Sequence, residues 1–281
     1  MRGHPVVRAS WYAANILLII SLALVAFSSG WEFSTRSYLK GFSDAIIPSS
    51  DDPERKVEAI LTWMQYGPAR RSVVDPETLS ARDPNDTLNY HQLLKVCGTA
   101  TNAFVNLAQS SGLHARRLLL LNQNGQSKHV VVEVLVDDRW IVADPAFHAL
   151  FRLPNGSLVA RSELQNPEIF RAATQGIAGY PAIYTYESTA HVRLSRIPLF
   201  GRALRRTLTF LWPSWEESIN WTLLLERESF AMMTASILLL CFILVGRLLL
   251  AWYCSHRLGI VRIRLRDQFF KAGDVLFSSN K

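Results

Sequence analysis

The chain has 281 residues, 49% of them hydrophobic, with 30 Lys or Arg against 23 Asp or Glu. That length holds one ordinary globular domain plus membrane segments and excludes two large domains beside them. The basic excess lies next to apolar runs, which points to lipid as its partner and away from nucleic acid.

Residues 1–10 carry Arg2 and Arg8, and Trp11 to Phe27 then runs without a charge. A membrane helix needs about 20 apolar residues, so 11–29 reads as a transmembrane helix or signal anchor. Ala26-Phe27-Ser28 also has the small-x-small form of a signal-peptidase site, and a cleaved leader is the competing reading. Residues 30–50, with Ser and Gly and little sustained periodicity, read as a linker. The domain proper is expected over 51–195.

Asp51 and Asp52 before Pro53 give a capping residue followed by proline, and Val57, Ile60, Leu61 and Met64 recur at helical spacing up to Gly67-Pro68. Residues 68–90 are polar and read as an extended loop. From Cys97, the residues Ala100, Ala103, Phe104, Leu107 and Ala108 mark one helical face that ends at Ser111-Gly112. Cys97 therefore opens a helix, where free amides and the helix dipole favour a thiolate. A buried structural cysteine is the alternative, since free cysteine packs as a small apolar group.

Leu113 to Leu121 reads as a strand, Asn122 to Ser127 as a turn, and His129 to Val136 as a strand β-branched at nearly every position. Asp137-Asp138 is the next turn, leading into Arg139 to Pro145. A two-residue turn there puts Asp144 opposite Val131 and makes it a diagonal neighbour of His129, roughly 7–8 Å away between backbones. The other face then carries Val130, Val132, Val134, Val136 and Ile141 for packing on the cysteine helix.

Ser162 to Ala173 has helical character, and Tyr180 to Val192 is suited to a further strand. In 196–228, Arg196, Arg202, Arg205 and Arg206 alternate with Leu199, Phe200, Leu204, Leu208, Phe210 and Leu211, a basic amphipathic segment fit for a membrane surface. The second span is 229–253; Arg247 sits near its end and can snorkel. The tail 254–281 holds His256, Arg257, Arg262, Arg264, Arg266 and Lys271. Positive flanks mark the cytoplasmic side, so both termini are expected there, with the domain outside the inner or plasma membrane.

A thiol at a helix start, then His129 and Asp144 on adjacent strands, is a set suited to nucleophilic acyl transfer. The run Leu93 to Phe147 resembles the transglutaminase-like superfamily in several pieces: Cys97-Gly98, Gly112-Leu113-His114-Ala115-Arg116, Lys128-His129 and Trp140-Ile141-Val142-Ala143-Asp144-Pro145. The resemblance implies an α+β, papain-like core, a cysteine-bearing helix on an antiparallel sheet, here flanked by two transmembrane helices. It also implies catalysis by Cys97, His129 and Asp144 on a peptide or protein amide; calcium dependence belongs to some animal relatives, nothing in this sequence requires it, and no metal or other cofactor is expected. Relatives include cross-linkers, peptidases, amidases and copies without activity. Two departures are Lys95-Val96 where glycine often precedes the cysteine, and Val131 where an aromatic often follows the histidine.

For an oxyanion hole, the Cys97 backbone amide, Gln92 and Tyr90 are candidate donors. His91, His114, His148 and His191 lack a comparable set of partners, with His148 held as a reserve base. The leading expectation is an amide hydrolase or acyl transferase working through a Cys97 thioester on envelope or cell-surface substrates, with membrane lipid and envelope or polysaccharide-assembly proteins as partners and no nucleic acid. The rival is an inactive transglutaminase-like scaffold in a membrane assembly.

Overall fold

The computed structural model describes residues 5–49, 52–67, 79–192, 201–218 and 221–257. Several expected features lie outside these residues: Arg2, most of the polar loop (68–78), Arg196, Leu199 and Phe200, and the tail from 258 with Arg262, Arg264, Arg266 and Lys271. Two compact units are formed, one by Gly30–Met232 and one by the stretches up to Ser29 and from Met233 onward.

Helix α1 runs from Pro5 to Ile46. The linker expected over 30–50 is thus corrected. Leu39 and Ile47 are core residues, and Phe42 and Ile46 pack against the same core. Leu39, Phe42 and Ile46 are spaced as one helical face, interrupted by Gly41 and Ser43, whose presence suggested a loop. Helix α2 (Pro53–Tyr66) starts as its sequence dictates: the Asp52 carboxylate accepts the Glu54 amide at 3.0 Å, Pro53 occupies the first turn, and Val57, Ile60, Leu61 and Met64 are buried. At its end Gly67 passes so close that a Cβ there would lie 2.4 Å from the Trp63 carbonyl oxygen.

The loop expected over 68–90 contains helix α3 (Pro84–Asn89), and helix α4 (His91–Leu94) follows directly after it. Asp83 caps α3 as Asp52 caps α2, accepting the Asn85 amide at 2.9 Å. Helix α5 (Cys97–Ser110) is buried along most of its length. Gly112 follows at φ +85, a left-handed conformation that turns the chain toward the sheet.

Strands β1 (Ala115–Leu121), β2 (Ser127–Val136), β3 (Arg139–Asp144), β4 (Ala149–Leu150) and β5 (Thr189–Ala190) form an antiparallel sheet in the order β4-β3-β2-β1-β5. Asp137 and Asp138 have φ of 47 and 61, as a two-residue type I′ hairpin requires. Val132 consequently pairs with Ala143 and Val136 with Arg139, the register expected from the sequence. On one face Val132, Val134, Val136 and Ile141 pack with Ala100, Ala103, Phe104 and Leu107 of α5. On the other, Leu118, Leu120, Val131 and Val142 pack with Phe151, Phe170 and Tyr186.

The helical stretch at 162–173 is two helices, α6 (Arg161–Leu164) and α7 (Pro167–Thr174), parted where Asn166 caps α7. Of the strand expected in 180–192 only β5 forms. Beyond the core come α8 (Gly201–Leu211), α9 (Trp215–Ser218) and α10 (Trp221–Glu226). On α8, Phe210 and Leu211 are exposed while Leu208 packs toward the buried Trp215. Thr222 of α10 accepts the Arg117 amide at 2.9 Å, which ties α10 to β1.

Where the chain enters and leaves this unit, Glu32 and Arg227 form a buried ion pair, 2% and 4% exposed. Arg36 and Ser229 also donate to the Glu32 carboxylate, at 2.6 and 2.8 Å. Arg227 reaches Asn106 of α5 at 3.3 Å, and Asn106 donates to Asn102 at 2.7 Å.

Helix α11 runs from Glu228 to His256. Both α1 and α11 contain stretches long and apolar enough to cross a membrane, which supports association with one. Their outward Ile19, Phe27, Leu238, Phe242 and Leu248 are exposed, a surface suited to lipid. Arg247 lies 4.9 Å from the centre of the Trp11 ring, so its charge has a π face as partner.

Candidate active site

Cys97 is the first residue of α5, after Val96 in extended conformation, and no side chain caps the helix start. Open amides at that position attract an anion. Thr101, one turn on, donates to the Val130 carbonyl at 3.2 Å and pins α5 to β2 beside His129.

His129 is 2% exposed and Asp144 fully buried. The hairpin register places them as diagonal neighbours, and the side chains close the gap: Nε2 of His129 lies 2.6 Å from Oδ2 of Asp144. The other carboxylate oxygen accepts the amides of Ala146 and Phe147 at 3.0 and 3.3 Å. An aspartate held by three partners is fixed in direction. Since Nε2 faces the carboxylate, Nδ1 is the ring nitrogen left for the thiol.

The electrostatics of the thiol and the ring agree. The hydrogen bond to His129 is the main reason the Cys97 pKa is lowered; burial opposes it, while the imidazole charge and the amides of Val130 and Gly98 assist. Burial disfavours a charged His129, but hydrogen bonds to Asp144 and Cys97 outweigh that and raise its pKa to about 9. Both shifts act in the direction of a thiolate beside an imidazolium.

Tyr90 links α3 to α4, and Gln92 lies on α4. The Gln92 Oε1 is buried and, among the described residues, finds no hydrogen-bond partner. His91 and His114 are exposed, and His148 takes a left-handed conformation at φ 50.

His191 is the histidine whose surroundings the sequence did not disclose. It is buried, with Nε2 2.8 Å from the buried Glu133 carboxylate, which also takes Arg116 at 2.8 Å and Arg161 at 3.5 Å. Burial alone would raise the Glu133 pKa, yet the His191 hydrogen bond and the two arginines hold it below its usual value. A lone glutamate inside a valine-rich strand was the available signal. Tyr184 was also missed. Its ring stacks on His129 with centroids 4.1 Å apart, and three tyrosines within Tyr180–Tyr186 were the only trace of that cover.

Residues 40–145 match the family model of the transglutaminase-like superfamily. No curated protein and no solved structure matches the chain. The matched stretch begins inside α1, ends just after Asp144 and includes Cys97, His129 and Asp144; it is a transglutaminase-like domain of mixed helix and antiparallel sheet.

Proposed function

We propose that this transglutaminase-like domain opens or exchanges amide bonds through a thioester on Cys97. The observation that carries the reading is the joining of one buried imidazole to a fixed carboxylate at 2.6 Å and to a thiol whose pKa it lowers. In the proposed reaction the thiolate attacks the substrate carbonyl and forms a tetrahedral oxyanion. The Cys97 amide, with Gln92 or Tyr90, is the proposed donor set for that oxygen. Collapse breaks the C–N bond, and the His129 imidazolium gives its proton to the leaving amine. Water or a second amine then attacks the thioester, losing a proton to His129, and the thiolate leaves. Asp144 orients the ring and stabilises its charged form throughout.

Two membrane-length helices and positive flanks support an anchored enzyme with both termini cytoplasmic and the domain outside, acting on envelope or cell-surface peptides, proteins or polymers. The exposed Phe210 and Leu211 with Arg205 and Arg206 on α8 suit contact with lipid headgroups.

The test is iodoacetamide alkylation against pH in the detergent-solubilised full chain, mapped to the Cys97 peptide so that Cys241 and Cys254 do not contribute. Labelling should begin well below the free-thiol pKa of about 8.5, and His129→Ala should abolish that advantage. Slow labelling at the ordinary thiol value, indifferent to His129→Ala, would leave Cys97 a packed residue and favour a scaffolding role.

A further inference from the structure

From Gln175 to Ser188, between α7 and β5, the chain has no helix or strand, yet its side chains are well anchored. Tyr186 is fully buried. Tyr180 packs on Phe147 at 4.8 Å, Phe151 at 5.6 Å and Phe170 at 6.1 Å. Tyr184 stands edge-on to Tyr180 at 5.8 Å and 86°, so it is braced from the core side. Its ring lies parallel to the His129 imidazole, 4.1 Å between centroids and 3° between planes. Phe147 closes on the same imidazole at 5.9 Å and 73°.

This arrangement does three things to the imidazole. A braced ring on one face and an edge on another hinder rotation, so Nε2 and Nδ1 keep their assigned partners. Water is kept from that face of the His129–Asp144 hydrogen bond, which strengthens it electrostatically. The face of an aromatic ring also carries negative potential and attracts a cation, so the stack favours the charged imidazole over the neutral one.

We propose that Tyr184 is a positioning residue of the thiol site: its ring face clamps His129 between Asp144 and Cys97 and stabilises the imidazolium that accompanies the thiolate. The proposal rests on the thioester reading given above. The titratable groups facing His129 are Cys97 from α5, Asp144 from β3 and Tyr184 from the loop. Tyr180 and Tyr186 stand near Asp144, and burial keeps their phenols un-ionised, so neither adds a charge at neutral pH. The ring face is the active element, and the Tyr184 hydroxyl is dispensable.

The experiment compares the pH profile of Cys97 alkylation in the full chain for the natural protein, Tyr184→Phe, Tyr184→Trp and Tyr184→Leu. Phe and Trp keep a π face and should hold the natural midpoint or lower it. Leu keeps apolar bulk without that face; the midpoint should rise by about half to one pH unit, and alkylation on the acid limb should fall about three- to tenfold. A natural profile in Tyr184→Leu would overturn the proposal, as would an upward shift in Tyr184→Phe equal to that in Tyr184→Leu. Should Tyr184→Leu fail to fold, an upward shift in Tyr184→Trp decides against it equally. A natural midpoint near the free-thiol value and unmoved by His129→Ala takes down the thioester reading with it. An activated thiol indifferent to Tyr184→Leu removes only the role of Tyr184.

Discussion

The sheet carries two buried histidine–carboxylate pairs, His129–Asp144 at 2.6 Å and His191–Glu133 at 2.8 Å, with His129 and Glu133 both on β2. They are alike in burial and hydrogen bonding and differ in what completes them. Asp144 is completed by two neutral backbone amides, so its charge is left to act on His129, whose other partner is a thiol. Glu133 is shared among His191, Arg116 and Arg161, and Arg116 is further stacked at 4.0 Å over the Trp140 ring. A buried pair becomes a reactive one when its remaining valence faces a nucleophile; when that valence faces cations it cross-links strands. The pair by itself identifies neither.

That contrast can be broken by exchanging the outcomes of parallel substitutions. Asp144→Asn should lower turnover of any amide substrate by up to about 10⁴-fold, since a misoriented or mis-protonated imidazole cannot serve the thiol. Its chemical unfolding should change much less. Glu133→Gln should do the reverse: natural alkylation of Cys97, but a loss of about 3–5 kcal/mol in denaturant unfolding, because three cationic or polar partners lose their buried charge. If Glu133→Gln silenced the thiol and Asp144→Asn merely unfolded the chain, the assignment of the two pairs would be inverted.

A smaller effect sharpens the comparison through pH. In Cys97→Ser, where the thiol no longer titrates, the hydrogen bond and charge of Asp144 remain to raise the folded pKa of His129 against burial. A raised histidine pKa stabilises the fold fully below the unfolded value and ceases to do so as pH rises through the folded value. Unfolding free energy should therefore decline by roughly 1–2 kcal/mol from about pH 6.5 toward pH 9. The decline should vanish when His129→Gln is added, as followed by urea denaturation.

Local signals were legible in the sequence and distant ones were not. Asp52-Pro53 announced α2, and Asp137-Asp138 fixed a register from which the proximity of His129 and Asp144 followed, because both depend on a few adjacent residues. Asp83-Pro84 gave the same signal for α3, hidden in a polar stretch with too few apolar residues to show a period. The Leu39, Phe42, Ile46 face was masked by small residues between its members. Tyr184 meets His129 only after the intervening chain has formed β3, β4, α6 and α7, so no spacing rule reports their contact. The partners of Glu133 likewise come from β1, α6 and the residue after β5.

The Glu32–Arg227 pair has a mechanical consequence. It fastens the point where the chain enters the domain unit to the point where it leaves. A pull applied through the two ends of that unit is therefore met first by this buried lock, with Ser229 and Asn106 sharing the load, before the strand ladders feel tension. The sheet that holds His129 and Asp144 is shielded from tugging along the chain.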